Sequence, residues 1–167
     1  MPEQDTLERA REDEREGKSA STQAGEFVRE EMEHVREGKH GVRSPQQAIA
    51  IGLSKARRAG VKLPPPSRGK TSEKTRARAE KDYEKGQSGE SRKPSPRRSR
   101  GVKRALKREG RQSASHAALS AHASASARRR GSADRRRAAR QAAGTKGPEG
   151  RSRAARRAAR TRRAGSR

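Results

Sequence analysis

Residues 44–60 read SPQQAIAIGLSKARRAG and form the one sustained apolar run in a chain of 167 residues. Ser44 is placed to cap a helix, Pro45 suits the first helical position, and Gln47 completes a capping box. Gly60 fits the position just past the helix end, and Lys55, Arg57 and Arg58 fall in or near the last turn, where the helix dipole favours cations. Every local signal specifies a helix over 45–59. At about 100° per residue, Ala48, Gly52, Ala56 and Ala59 form a seam of small residues. Ile49 and Leu53 flank it on one side and Ile51 on the other, while Gln46, Gln47, Ser54, Arg57 and Arg58 lie largely opposite. A glycine inside a helix costs about 1 kcal/mol relative to alanine. Gly52 therefore implies that a second helix crosses closely at the seam.

The partner is legible just upstream, in EFVREEMEHVREG at 26–38. Val28, Met32 and Val35 recur at helical spacing, with Ala24 and Phe27 beside them, and Gly38 is a C-terminal stop. Ser21 or Thr22 can supply the N-cap. The intervening loop is short enough for an antiparallel pair. The reading is a helical hairpin near residues 22–63 with a core of Phe27, Val28, Met32, Val35, Ile49, Gly52, Leu53 and Ala56. So small a core is expected to be marginal alone and to be covered by a second copy of the chain or a protein partner.

Composition argues against a larger core. Only 26% of residues are hydrophobic, 39% are charged, and the aromatics are one Phe and one Tyr. Such a chain buries too little apolar surface to offset the entropy of ordering all of it. The expected fold class is mostly disordered with α-helical segments, the hairpin at 22–63, and no β-sheet. Residues 1–20 read as an acidic polar segment with a helix stopped by Gly17, and 64–71 as a Pro-rich linker. Residues 72–86 read as a charged helix capped by Ser72, whose apolar line holds only Ala79 and Tyr83, so it is expected to lie in solvent. Residues 87–167 read as a disordered Arg/Ala/Ser-rich tail in which GVKRALKREG supplies a helical turn or two.

Charge divides the chain. Residues 1–42 hold seven Lys/Arg against twelve Asp/Glu, 43–90 hold twelve against five, and 91–167 hold twenty-six against three. With a total of +25, the expected partner is a polyanion, DNA before RNA. The candidate phosphate contacts are the clusters Arg97, Arg98, Arg100, Lys103 and Arg104; Arg128, Arg129 and Arg130; and Arg135, Arg136 and Arg137. A further stripe holds Arg153, Arg156, Arg157, Arg160 and Arg163 at i, i+3, i+4, i+7 and i+10. Alanine between these arginines favours helix and Arg–Arg repulsion opposes it, so folding on phosphate binding is expected. No aromatic in the tail can stack on bases. Binding should be electrostatic and mainly sequence-independent.

No enzyme is expected. GKT at 69–71 ends a would-be phosphate loop whose first glycine is replaced by Pro64. His34 and His40 lie near Glu30, Glu33 and Glu37, but the spacing reads as surface histidines, and no metal or cofactor is expected. With no cysteine there is no thiolate site. The acidic, polar N-terminal sequence reads as neither a secretory nor a transit signal, and no stretch reaches membrane-spanning length. A cytoplasmic or nucleoid location follows. The alternatives are an RNA- or ribosome-associated basic protein and a hydrophilic, disordered stress protectant.

The block EFVREEMEHVREGKHGVRSPQQAIAIGLSKARRAGVKLPPP resembles a family of small, uncharacterised, mostly proteobacterial proteins, similar in a KHG turn followed by a QAIAIGLSKARRAG-like helix. The resemblance covers about residues 26–66. It implies a domain of unknown function and supplies no catalytic residue. SPRR at 95–98 resembles the short basic units of linker-histone tails, which place two cations in the DNA minor groove.

Overall fold

A computed structural model describes residues 2–89 and 95–165. The helices run α1 Gln4–Arg15, α2 Ala20–Glu37, α3 Pro45–Arg58, α4 Glu73–Gln87, α5 Pro96–Lys107, α6 His116–Arg129 and α7 Ser132–Gly165, with a 3-10 turn at Gln112–Ala114 between α5 and α6. Among the described residues there is no strand. The chain is helical along most of its length, which overturns the expectation of a mostly disordered protein. The error has a physical source. Low hydrophobicity limits the size of a core, but alanine and arginine are both strong helix formers. The Ala/Arg-rich regions satisfy their backbone in helices whether or not they bury anything.

The chain divides into two units, residues 1–122 and 123–167. In the first, α2 and α3 are the central antiparallel pair. Ser19, not Ser21 or Thr22, caps α2 by accepting from the Thr22 N–H, and Gly38 closes it at φ 79°. Ser44 caps α3 through the Gln47 N–H at 3.3 Å, and the Gln47 side chain accepts from the Arg43 N–H at 3.1 Å. Gly52 lies directly against the α2 backbone, where an added Cβ would stand 2.7 Å from Val28 Cα. The pair carries two apolar clusters. One gathers Ala10, Ala24, Phe27, Ala56 and Val61 with Leu7, Ala20, Leu53 and Leu63. The other gathers Met32, Val35, Val42, Ala48 and Ala114 with Val28, Ile49, Ile51 and Leu119.

The membership of these clusters revises the expected domain plan, because the chain itself covers the hairpin. The acidic segment folds as α1 and packs on α2, burying Thr6, Ala10 and Asp13. Helix α4 is not solvated along its length: Ala79 is buried as the helix packs on α3, and Ser54 donates to Asp82 at 2.6 Å. Gly86 backs onto the Arg57 carbonyl and Gly60 so closely that no side chain fits there. Arg57, read as a solvent-facing cation, is buried and donates to the carbonyls of Leu63 and Pro64, tying down the Pro-rich segment.

The larger correction concerns residues 95–122, placed by sequence in a disordered tail. The Gly41 N–H donates to Leu106 O at 2.9 Å and the Val42 N–H to Gly110 O at 3.0 Å. Arg43 pairs with Glu109 at 2.7 Å, and Arg36 donates to Ala114 O at 2.9 Å. Ala114 is fully buried. The first seven residues of GVKRALKREG supply the last two turns of α5, a helix that begins upstream at Pro96. SPRR is not an isolated turn: Pro96 opens α5, with Arg97 and Arg98 in its first turn.

In the second unit, the Arg135 guanidinium donates to the carbonyls of Ala127 and Arg130, satisfying the end of α6. Helix α7 is two helical stretches broken at Gly147, which takes φ 62°, with Pro148 beginning the second stretch.

Candidate functional site

The basic residues singled out by sequence sit on helices. Arg97, Arg98, Arg100, Lys103 and Arg104 are exposed on α5, and Arg128 and Arg129 are exposed in the last turn of α6. Arg130 follows, also exposed. Arg135, Arg136 and Arg137 occupy the first turns of α7, and Arg153, Arg156 and Arg160 are exposed on its second stretch. The side chains of Arg157 and Arg163 lie outside the described residues. Residues 153 and 160 are seven apart, so they lie within about 20° of one another around the helix, with 156 about 60° away. The stripe is thus a property of a formed helix, and folding on binding is not needed to create it. Among the described residues of the basic region, Arg137, with Asp134, is the only cation in an ion pair.

A second charged group was missed, and it lies inside the hairpin. Glu30 and Glu31 on α2 are both fully buried. Lys55 on α3 reaches them, 2.9 Å from Glu30 Oε1 and 2.8 Å from Glu31 Oε2. Burial alone would lower the Lys55 ammonium's pKa, but the two carboxylates outweigh it and hold the pKa above its usual value. Burial alone would likewise raise Glu30, but Lys55 and the Glu3 N–H, 3.2 Å away, hold it below the usual carboxylate range. Glu3 is exposed and accepts from Lys39 at 2.9 Å and from His34 Nε2 at 2.8 Å, contacts that pull it down to about 2.

His34 and His40 are not solvent-facing histidines. Both are mostly covered, their rings are edge-on with centroids 6.2 Å apart, and His40 Nε2 lies 3.1 Å from Glu31 Oε1. The sequence did contain the signal. Glu31 lies four residues from both Phe27 and Val35, on the apolar stripe, and Lys55 lies three from Gly52, on the small-residue seam. A carboxylate and an ammonium on facing buried stripes must meet. Of the apolar core residues named from sequence, Phe27, Met32, Val35, Gly52 and Ala56 are buried, and Val28, Ile49 and Leu53 are partly buried around them.

Residues 15–67 match the model of a family of unknown function (DUF6496). The matched stretch holds α2, α3 and the buried charged group, while the basic helices lie outside it. No curated protein matches the chain, and no solved structure matches it. No helix among the described residues is long and apolar enough to cross a membrane.

Proposed function

We propose that the chain is a non-enzymatic, mainly sequence-independent nucleic-acid-binding protein, with DNA the favoured ligand, held by preformed basic helices. The observation that carries this is the exposed cations of α5 and of α7, of which, among the described residues, only Arg137 lies in an ion pair. Arginine side chains on a helix meet phosphates with a planar fork of donors, and released counterions drive the association. Absence of aromatics beyond Phe27 and Tyr83 argues against readout by stacking. A bacterial origin and a nucleoid location belong to this reading.

The test is affinity of the full chain for matched duplex DNA and RNA across a salt series. If eight phosphates are neutralised, log K falls with log salt at a slope of about −7. The triple substitution Arg153→Gln, Arg156→Gln and Arg160→Gln should flatten that slope by about 3 and weaken binding uniformly across sequences. A shallow slope unchanged by the triple substitution overturns the proposal. Preference for RNA would replace DNA with RNA as the ligand.

A further inference from the structure

Two histidines and a buried carboxylate converge where α2 runs into the loop at 38–44. Ligand-capable atoms of Glu31, His34 and His40 all lie within 4.8 Å of one another. Hydrogen bonding decides which ring nitrogens are available. His40 Nδ1 is 3.2 Å from the Gly41 carbonyl oxygen, which can only accept, so Nδ1 carries a proton. His34 Nε2 is 2.8 Å from the Glu3 carboxylate, so that nitrogen carries a proton as well. In the neutral rings the lone pairs belong to His40 Nε2 and His34 Nδ1. Both face carboxylates: His40 Nε2 is 3.1 Å from Glu31 Oε1, and His34 Nδ1 is 3.9 Å from Glu30 Oε1. A lone pair aimed at an anion is repulsive, and either a proton or a metal ion between them relieves it.

Glu31 adds a second, independent observation. It is fully buried, and its Oε1 accepts no hydrogen bond. Lys55 Nζ, 2.8 Å from Oε2, engages that oxygen alone. One ammonium therefore serves two buried carboxylates, and Oε1 is left facing an imidazole. Buried carboxylates in that position call for further positive charge.

We propose that Glu31 Oε1, His34 Nδ1 and His40 Nε2 bind a divalent transition-metal ion of the zinc type, with a fourth position open to water. Two imidazole nitrogens and one carboxylate oxygen suit that class of ion. The outer partners fit as well. Metal-binding histidines donate their other N–H to a carboxylate or a backbone carbonyl, the roles Glu3 and Gly41 fill here. Lys55 keeps Oε2 and leaves Oε1 for the ion. Donor atoms around a tetrahedral zinc stand about 3.3–3.5 Å apart, so the cluster has to close by up to about 1.5 Å. His40 lies on a loop, outside any helix, and is the ligand not fixed to α2. The same loop carries Gly41 and Val42, which hold the 106–110 segment. An ion at this position would staple the end of α2 to the loop on which α5 docks.

The experiment adds Zn²⁺ alone to full-length, chelator-treated protein in isothermal titration calorimetry, with Co²⁺ substitution read by visible absorption. The expected result is one ion per chain, the intense absorption of tetrahedral Co²⁺, and a metal-dependent rise in Tm. His40→Gln and His34→Gln should each weaken binding about 100-fold, and Glu3→Gln, which removes no ligand, about tenfold. The pair His116→Gln and His122→Gln should change nothing. Absence of a saturable one-to-one site overturns the proposal, as does affinity that survives the His34→Gln, His40→Gln double substitution. If a histidine variant does not fold, Glu3→Gln decides, and unchanged affinity in that variant overturns the proposal.

Discussion

Gly52→Ala and Gly25→Ala make the same chemical change on the two central helices, and the structure assigns them opposite signs. At Gly52 the new Cβ would stand 2.7 Å from Val28 Cα and 2.9 Å from its nitrogen and Cγ2. Carbon atoms pack best at about 3.5–4.0 Å, so α2 and α3 have to part by about 1 Å. Backbone cannot swing aside as a flexible side chain can. Overpacking of this kind costs about 1–3 kcal/mol, and the better helix propensity of alanine returns about 1 kcal/mol. The net is destabilisation by up to about 2 kcal/mol, with the Lys55 ion pairs one turn away loosened in addition. Gly25 is exposed on α2 and has nothing within 4 Å of its would-be Cβ. Alanine there gains the propensity without the clash and stabilises by about 1 kcal/mol. The two variants should differ by about 1–3 kcal/mol, or about 5–10 °C in Tm for a unit of this size. Differential scanning calorimetry of the full-length protein reads the split directly. Stabilisation by Gly52→Ala comparable to that by Gly25→Ala would refute the close crossing.

Three further outcomes follow from the packing. The amides of Gly41 and Val42 donate to Leu106 and Gly110, so hydrogen exchange should find them protected well beyond the rest of their loop; rates typical of an open loop would mean residues 106–114 do not dock. Lys55→Met removes the one ammonium serving Glu30 and Glu31 and should cost about 3 kcal/mol in urea unfolding; a cost below about 1 kcal/mol would show that the carboxylates find other compensation. Gly86→Ala places a methyl group against the Arg57 carbonyl and should release α4, exposing residues 73–87 to limited proteolysis while α2 and α3 stay protected. Cleavage unchanged from wild type would place Gly86 away from α3.

Legibility of this fold followed the kind of force involved. Helix α3 was readable because its cap, its first-turn proline, its closing glycine and its seam all act within a few residues of each other. Gly52 was readable because its cost has to be offset by a close neighbour. Residues 106–114 were not readable, because they dock through backbone hydrogen bonds and one buried alanine, Ala114, neither of which leaves a periodic apolar pattern. The disorder expected for the basic region came from treating low hydrophobicity as low helicity. Those are separate quantities, and in α7 only the first is small. For the buried charges the pattern was present but was assigned to other causes. Lys55 was explained by the helix dipole and Glu31 was not singled out, although their spacing set both on the apolar stripes.

The Lys55 contacts bear on how the two central helices choose their alignment. A seam of alanine and glycine is nearly featureless, and apolar side chains alone discriminate weakly between positions one helical turn apart. Sliding α3 by one turn, about 5.4 Å, would carry Lys55 out of reach of Glu30 and Glu31 and leave three charges buried and unmatched. The contact that adds least to stability on burial grounds is the one that makes every other register expensive. It acts as an alignment pin, and the apolar clusters on either side of it fill in around a registry already chosen.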